Sequence, residues 1–119
     1  MGSAGRKGNM VGQGDIIKIN FNPQSGHEQS GYRPALVVSN NFFNKNINLV
    51  IVCPITKTKR DYPLHVELDS RTKTAGVIMC EQIKALDINS REYSFVESVP
   101  QDILEDVVNK IFSQIETGD

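Results

Sequence analysis

The stretch GHEQSGYRPALVVS, residues 26–39, decides the fold of this region and carries the strongest functional signal in the chain. Residues 33–39 are nearly all apolar, which is typical of a buried β-strand. The preceding positions place an imidazole, a carboxylate, an amide, a phenol and a guanidinium between two glycines and a proline. Groups suited to acid–base chemistry and anion binding therefore lie on a loop anchored by a buried strand, a common arrangement at binding and catalytic sites.

Length and composition predict a single small globular domain. The chain has 119 residues, 39% hydrophobic and 23% charged, which is ordinary for a folded protein. Residues 1–10, MGSAGRKGNM, resemble an expression leader or a disordered tail, with a basic RNA-binding arm as the alternative. We assign residues 11–119 to the domain. No apolar run approaches the roughly 20 residues that span a bilayer, and no signal segment precedes the domain, so we expect a cytoplasmic protein.

Net charge and cysteine content limit how the protein can bind nucleic acid and whether it can hold a metal ion. The formal net charge is -1, so affinity for nucleic acid would require a local basic patch rather than bulk charge. Cys53 and Cys80 each lie in an apolar, strand-like run. They are predicted to be buried free thiols rather than a disulfide or a nucleophile. Two cysteines and two separated histidines show no zinc-type spacing, and we predict no metal and no cofactor.

The hydrophobic pattern predicts a mainly β protein with a C-terminal helix. Short runs rich in β-branched residues are bounded by glycine, proline and asparagine, which is typical of strands. These runs are residues 16–21, 33–39, 48–55, 64–68, 74–80 and 91–97. One helical turn is predicted within each of residues 40–48 and 81–87. Many short strands followed by one helix favour a compact antiparallel barrel with an appended helix.

The C-terminal helix is predicted to begin at Pro100, which suits a first helical position. Its apolar residues recur at three- and four-residue steps and form one broad stripe. The stripe favours packing across the helix's own sheet, with a dimer or partner interface as the alternative.

Metal-free cleavage of an RNA phosphodiester needs a base for the 2′-hydroxyl, positive charge at the phosphoryl oxygens and an acid for the leaving oxygen. Arg33 is the best candidate for the charge, because a guanidinium matches phosphate oxygens in a fork. A structural ion pair between Arg33 and Glu28 is an equal alternative. Thr56 ends a predicted strand, where its hydroxyl could donate to phosphate or simply cap a turn. Lys57 begins the densest basic cluster of the domain.

Other polar residues are candidates for binding or proton transfer. His27 and His65 could act near neutral pH, although His65 in an alternating strand could also be merely solvent-exposed. Glu28 could be a general base if burial raises its pKa. Gln29 and Gln82 could read bases by hydrogen bonding.

Several blocks in order along the chain resemble the MazF/PemK family of toxin–antitoxin ribonucleases. The blocks are Gly14-Asp15-Ile16, Phe21-Asn22-Pro23, Gly26-His27-Glu28-Gln29, Tyr32 to Ser39, Pro54-Ile55-Thr56, Tyr62 to Val66, Gly76-Val77 and Glu81 to Lys84. The resemblance implies an SH3-like barrel of the plasmid-maintenance-toxin type. It also implies a homodimer that cuts single-stranded RNA without metal, leaving a 2′,3′-cyclic phosphate and a 5′-hydroxyl, and a cognate antitoxin that blocks the groove.

The resemblance assigns roles to individual residues. Arg33 falls on the family's arginine, which stabilises phosphate and is a candidate to protonate the leaving group. Thr56 falls on the threonine that stabilises the phosphoryl oxygens, and Glu28 on the loop carboxylate that is a candidate base. The remaining predicted substrate contacts are His27, Gln29, Tyr32, Lys57, His65 and Gln82.

Two alternatives stay open. One is a non-catalytic toxin with the same barrel that binds a protein target such as DNA gyrase through its terminal helix. The other is an inactive relative that only binds RNA. Neither the target sequence nor the antitoxin can be inferred from the residues.

Overall fold

The computed structural model describes residues 11–21, 31–58 and 62–118. The strands in this part of the chain are β1 (Asp15–Asn20), β2 (Tyr32–Val37), β3 (Val50–Thr56), β4 (His65–Glu67), β5 (Val77–Met79), β6 (Lys84–Leu86) and β7 (Tyr93–Ser98). The helices are α1 (Asn41–Asn46) and α2 (Gln101–Ile115), and two short 3-10 turns span Cys80–Gln82 and Ile88–Ser90. The predicted leader, residues 1–10, lies outside the described residues.

The strands form one antiparallel sheet in the order β4-β5-β3-β2-β1-β7, with β6 also paired to β3. β3 is central because it pairs with β2 along one edge and with both β5 and β6 along the other. The mainly β fold with a C-terminal helix is confirmed. Within the described residues the sheet is an open path from β4 to β7 rather than a fully closed barrel.

One side-chain contact shows that this sheet curls strongly. The Lys84 ammonium on β6 lies 5.3 Å from the ring centroid of Phe21, which directly follows β1. In a flat sheet, β6 and β1 would be separated by three strand spacings of about 4.8 Å each. Curvature of the sheet around the face that both residues share, as in a partly open barrel, explains this contact.

The core has two parts because successive side chains of a strand point to opposite faces. On the outer face, Ile16, Leu36 and Ile55 pack against α2. On the inner face, Ile19, Val37 and Val52 are among the residues enclosed by the curled sheet. The central strands are buried on both faces, which explains why their sequences are nearly continuous apolar runs.

The prediction that α2 packs across its own sheet is confirmed for one side of its apolar stripe. Ile103, Leu104 and Val107 are buried against the outer face. The stripe is broader than the sheet can cover, since Phe112 and Ile115 are 60% and 70% exposed. Pro100, predicted as the first helical residue, lies one position before the helix, and its carbonyl accepts hydrogen bonds from the Ile103 and Leu104 N–H groups.

Two predictions of local structure need correction. Residues 81–87, predicted as a helical turn, contain the end of a 3-10 turn followed by β6, because β3 pairs with this segment from Val50↔Leu86 to Val52↔Lys84. The strand predicted at residues 74–80 is shorter, since the Glu97 carboxylate accepts hydrogen bonds from the backbone N–H groups of Lys73 and Thr74. Partial burial would raise the pKa of Glu97, but these hydrogen bonds outweigh that effect and lower it.

The prediction of buried free thiols is confirmed for both cysteines. Cys53 and Cys80 belong to the outer-face core. A hydrogen bond to Cys80, together with burial, raises the pKa of the Cys53 thiol, which therefore stays protonated at neutral pH.

Gly76 should be the most substitution-sensitive of the described glycines. Its φ of +127° disfavours other residues, and an added Cβ would lie 2.4 Å from the Thr56 carbonyl oxygen. We expect Gly76→Ala to lower the free energy of unfolding by at least about 3 kcal/mol, combining backbone strain with overpacking. Chemical denaturation measures this loss.

Gly31→Ala is the matched control, because Gly31 also has a positive φ of +82° but no described residue within 4 Å of an added Cβ. Backbone conformation alone should cost about 1–2 kcal/mol there. Equal losses in the two variants would contradict a steric role for Gly76.

Candidate active site

Arg33 and Thr56 occupy facing positions on neighbouring strands. The register of β2 and β3 pairs Val37 with Val52 and Ala35 with Pro54. This pairing ends at Ala35 and Pro54; continued by two residues along each strand, the same register sets Arg33 opposite Thr56. Residues opposite each other in an antiparallel pair present their side chains on the same face. The guanidinium and the hydroxyl therefore belong to one surface, the inner face at the end of the central strands.

The same face continues across the sheet to β4. Thr56 is paired with Val77, and two residues along β5, Met79 is paired with His65. Since side chains alternate along a strand, Arg33, Thr56 and His65 share one face. The structure thus brings together three residues that were predicted from separate parts of the sequence.

The Thr56 hydroxyl is oriented by the turn that follows β3. The backbone N–H of Thr58 donates to Thr56 Oγ1 at 3.2 Å. This bond uses a lone pair of the oxygen and leaves its O–H able to donate to an anion. Both predicted alternatives for Thr56, a turn cap and a hydrogen-bond donor, are therefore compatible. Lys57 lies exposed in the same turn.

His65 is more buried than the sequence pattern indicated. Its side chain is 7% exposed, and its Nε2 lies 3.0 Å from Glu81 Oε2. The Tyr62 ring packs beside it, with the ring centroids 4.9 Å apart. The alternative of a merely solvent-exposed histidine is wrong, because β4 is short and the 3-10 turn that follows β5 brings Glu81 against the imidazole.

The His65–Glu81 pair leaves two hydrogen-bonding atoms unsatisfied. His65 Nδ1 and Glu81 Oε1 are buried without a partner among the described residues. With Nε2–H donated to Glu81, a neutral imidazole carries its lone pair on Nδ1, whereas protonation makes Nδ1 a donor. Buried polar atoms without a hydrogen-bond partner are rare and costly in folded proteins. These two atoms of the His65–Glu81 pair therefore lower the stability of the fold at the edge of the sheet that carries Thr56. Sequence analysis missed Glu81 as the partner, since the two residues lie 16 positions apart.

Gln82 lies exposed at the end of the same 3-10 turn. The turn is fixed from behind by α2, since the Gln114 side-chain amide donates to the Cys80 carbonyl at 3.0 Å. Helix α2 therefore positions the segment that carries both Glu81 and Gln82.

Tyr32 is separated from the face that carries Arg33, because adjacent residues of a strand point to opposite sides. Its hydroxyl donates to Glu92 at 3.2 Å, and its side chain is half exposed. Partial desolvation and the Glu92 carboxylate raise the pKa of the Tyr32 phenol. If Tyr32 contacts the substrate, as predicted, it does so from the edge of the site rather than from the face that carries Arg33.

His27, Glu28 and Gln29 lie outside the described residues. The two ends of the segment that contains them are held together, since the Phe21 N–H donates to the Gly31 carbonyl at 3.4 Å. Phe21 and Gly31 directly flank the β1–β2 pair in which Arg33 faces Ile19.

In chemical terms, the site offers a guanidinium cation, a hydroxyl donor and an imidazole on one sheet face, with the Glu81 carboxylate bound to that imidazole from the adjoining turn. Cation and hydroxyl together can stabilise charge that develops on phosphoryl oxygens. Among residues 11–21, 31–58 and 62–118, no group of three or more His, Cys, Asp or Glu side chains is arranged to hold a metal ion.

Comparison with known proteins gives a consistent result. Residues 12–115 match the family model described as PemK-like, MazF-like toxin of type II toxin-antitoxin system. The endoribonuclease PemK of Escherichia coli is 34% identical over 110 residues, covering 89% of this chain and 82% of that protein. The endoribonuclease toxin MazF of Escherichia coli K12 is 33% identical over 78 residues, covering 66% of this chain and 69% of that protein.

Solved structures agree with the sequence matches. A chain of the MazE–MazF (Form-II) crystal structure from Deinococcus radiodurans superposes with a TM-score of 0.81 and 34% identity, covering 91% of this chain and 97% of that chain. A crystal structure of MazF from the same organism gives a TM-score of 0.80, also at 34% identity, with 90% and 97% coverage.

The His65–Glu81 pair is testable through stability. Glu81→Ala leaves both imidazole nitrogens without a partner, so we expect it to lower the free energy of unfolding by about 1–3 kcal/mol. Glu81→Gln keeps an acceptor for Nε2–H and should recover most of that loss. Urea denaturation at neutral pH measures both variants.

The control is Glu116→Ala, which removes an exposed carboxylate just after α2 and should change stability by no more than about 0.5 kcal/mol. If Glu81→Ala were as stable as Glu116→Ala, the pair would have no structural role.

Proposed function

Because the chain belongs to the PemK-like and MazF-like toxin family of type II toxin–antitoxin systems, we propose that it is a sequence-specific endoribonuclease acting on single-stranded RNA, chiefly mRNA. The single observation that carries the proposal is the register that sets Arg33 opposite Thr56 on one open sheet face. The curated relatives are named as endoribonucleases, which supports the same activity for this chain.

The proposed reaction is an internal transesterification. Glu28, the candidate base, removes the proton of the 2′-hydroxyl, whose oxygen attacks the adjacent phosphorus. The bond from phosphorus to the 5′-oxygen breaks, and that oxygen takes up a proton from Arg33 or from water. The products are a 2′,3′-cyclic phosphate and a 5′-hydroxyl. The step uses no metal, because Arg33 and Thr56 supply the positive charge and the hydrogen bond that the phosphoryl oxygens require.

Recognition of the RNA is assigned to residues around this pair. Lys57 and His65 flank Thr56 on the turn after β3 and on β4, and Gln82 projects from the 3-10 turn beyond β5. His27, Gln29 and Tyr32 are the other proposed contacts to the RNA. Single strands suit such a groove, because unstacked bases present their edges to side chains.

A cognate antitoxin is the proposed protein partner. MazE–MazF crystal structures are among the similar structures, and we propose that a cognate antitoxin binds this chain and occupies its substrate groove. We also propose a cytoplasmic location, where mRNA and an antitoxin would be available. Among the described residues, neither helix has the length and apolar character to cross a membrane.

We propose that the functional unit is a homodimer. On α2, Val108, Phe112 and Ile115 expose apolar side chains beyond the part that packs on the sheet. A groove lined by Gln13, Leu104 and Val108, among others, adjoins them. Exposed apolar patches of this kind are typical of protein interfaces.

The alternative of a non-catalytic toxin that binds a protein such as DNA gyrase through α2 accounts for the exposed apolar helix face. It gives no reason for Arg33, Thr56 and His65 to share a face. The endoribonuclease is therefore the better-supported function.

Incubation of the purified protein with a long RNA in excess EDTA should yield discrete fragments. Arg33→Ala should reduce the rate of cutting by about 10²–10³, because a preorganised charge opposite the phosphoryl oxygens is removed. Gel analysis with fragment-end sequencing measures the rate, the cut sequence and the 2′,3′-cyclic phosphate.

Arg71→Ala is the matched control, since Arg71 is exposed and paired with Asp69 and Asp102 near the start of α2; it should cut at the wild-type rate. Full activity of Arg33→Ala would exclude the proposed mechanism. Loss of wild-type cutting in EDTA would exclude metal independence.

The dimer is testable by charge insertion. Phe112→Glu should convert the protein to a monomer in size-exclusion chromatography with light scattering, because it buries a charge in an apolar contact. Ser113→Glu, one position along the exposed helix surface, should leave the dimer intact. A monomeric wild type, or a dimeric Phe112→Glu, would show that this surface is not the interface.

A further inference from the structure

Lys84 is a second cation on the face that carries Arg33 and Thr56. It is paired with Val52 across β3 and β6, and Val52, Pro54 and Thr56 alternate onto one face of β3. Lys84 therefore presents its side chain on the inner face. It is not among the site residues predicted from the sequence. Its neighbour two positions on, Leu86, belongs to the inner-face core.

The position of the Lys84 ammonium is restrained by an aromatic ring. The nitrogen lies 5.3 Å from the Phe21 ring centroid, within the range of a cation–π interaction. Phe21 is 8% exposed and so provides a fixed platform. This contact holds the ammonium at the rim of the inner face, beside the end of β1.

Phe21 also links Lys84 to Arg33. Ile19 is paired with Arg33, and Phe21 follows two residues later on the same face of the chain. Such diagonal neighbours on adjacent strands lie about 7–8 Å apart. Arg33 therefore lies on the same face as Phe21, whose ring contacts the Lys84 ammonium.

Lys84 is not neutralised by a carboxylate. In the described parts of the chain, its ammonium forms no ion pair within salt-bridge distance, whereas Lys110 is bound to Asp106 at 3.1 Å. An exposed, aromatic-restrained cation that lacks a carboxylate partner is available for an external anion.

We propose that Lys84 binds a phosphate of the RNA next to the one held by Arg33 and Thr56, so that two successive backbone phosphates are gripped across the Phe21 ring. The inference rests on the proposed endoribonuclease function and adds a binding residue to it. Lys84 acts on substrate affinity, because its cation contacts a phosphate that does not change charge in the reaction. Arg33 and Thr56 act on the reacting phosphate.

The probe is a single-stranded oligonucleotide containing the cut sequence identified by fragment-end sequencing, with a 2′-deoxy nucleotide at the scissile position so that it cannot be cleaved. Its affinity is measured by fluorescence anisotropy over a series of salt concentrations. Lys84→Met keeps the apolar stem and removes the charge, and Lys84→Arg keeps the charge. Lys18→Met is the matched control, since Lys18 is an exposed lysine on the opposite face of β1.

We expect Lys84→Met to weaken binding about fivefold to tenfold and to lower the slope of log affinity against log salt by about 0.7, the value for one phosphate contact on a single strand. Lys84→Arg should restore both quantities, and Lys18→Met should change neither. The kcat for cleavable RNA at saturation should change less than the Kd of the probe.

Weaker binding with an unchanged salt slope would overturn the proposal, because it would indicate a structural effect. Unchanged binding by Lys84→Met would overturn it as well. If Lys84→Met fails to fold, Lys84→Gln is tested against the same two criteria. Failure of wild-type protein to cut RNA both with and without EDTA would instead reject the proposed function, which separates the two outcomes.

Discussion

The structure of the site depends on the register between β2 and β3. Pairing Ala35 with Pro54 places Arg33 opposite Thr56, and a slip of one residue would move one of the two side chains to the other face. The register is held by burial on both sides: Leu36 and Cys53 belong to the outer-face core, and Val37 and Val52 to the inner-face core. The cost of exposing those side chains keeps the guanidinium and the hydroxyl together.

Packing of α2 on the outer face fixes the position of a turn at the edge of the inner face. Helix α2 covers the outer core and binds the Cys80 carbonyl through Gln114, so the turn that bears Glu81 is fixed from behind. The inner face is left to curl around a smaller core, which brings Lys84 over Phe21. Polar side chains are thereby confined to the rim of a concave surface, where an extended anionic chain can contact several of them in succession.

The His65–Glu81 pair is the costliest local feature of this arrangement. Two of its polar atoms are buried without partners among the described residues, and a fold optimised only for stability would avoid this. Its place on the face shared with Thr56 connects that cost to the site, since a polar ligand entering beside Tyr62 would reach groups that have hydrogen-bonding capacity left.

Secondary-structure elements with a clear local hydrophobic pattern could be predicted from the sequence alone. The apolar runs of β1 to β3, the stripe of α2 and the buried cysteines follow from residue type and period, and the ordered motifs pointed to the family and to Arg33 and Thr56. Only the tertiary structure decided that residues 84–86 form a strand, that Glu81 binds His65, and that Lys84 lies over Phe21. Each of these depends on contacts between segments distant in sequence, where the energy of pairing and burial overrides the weak preference of a short polar stretch.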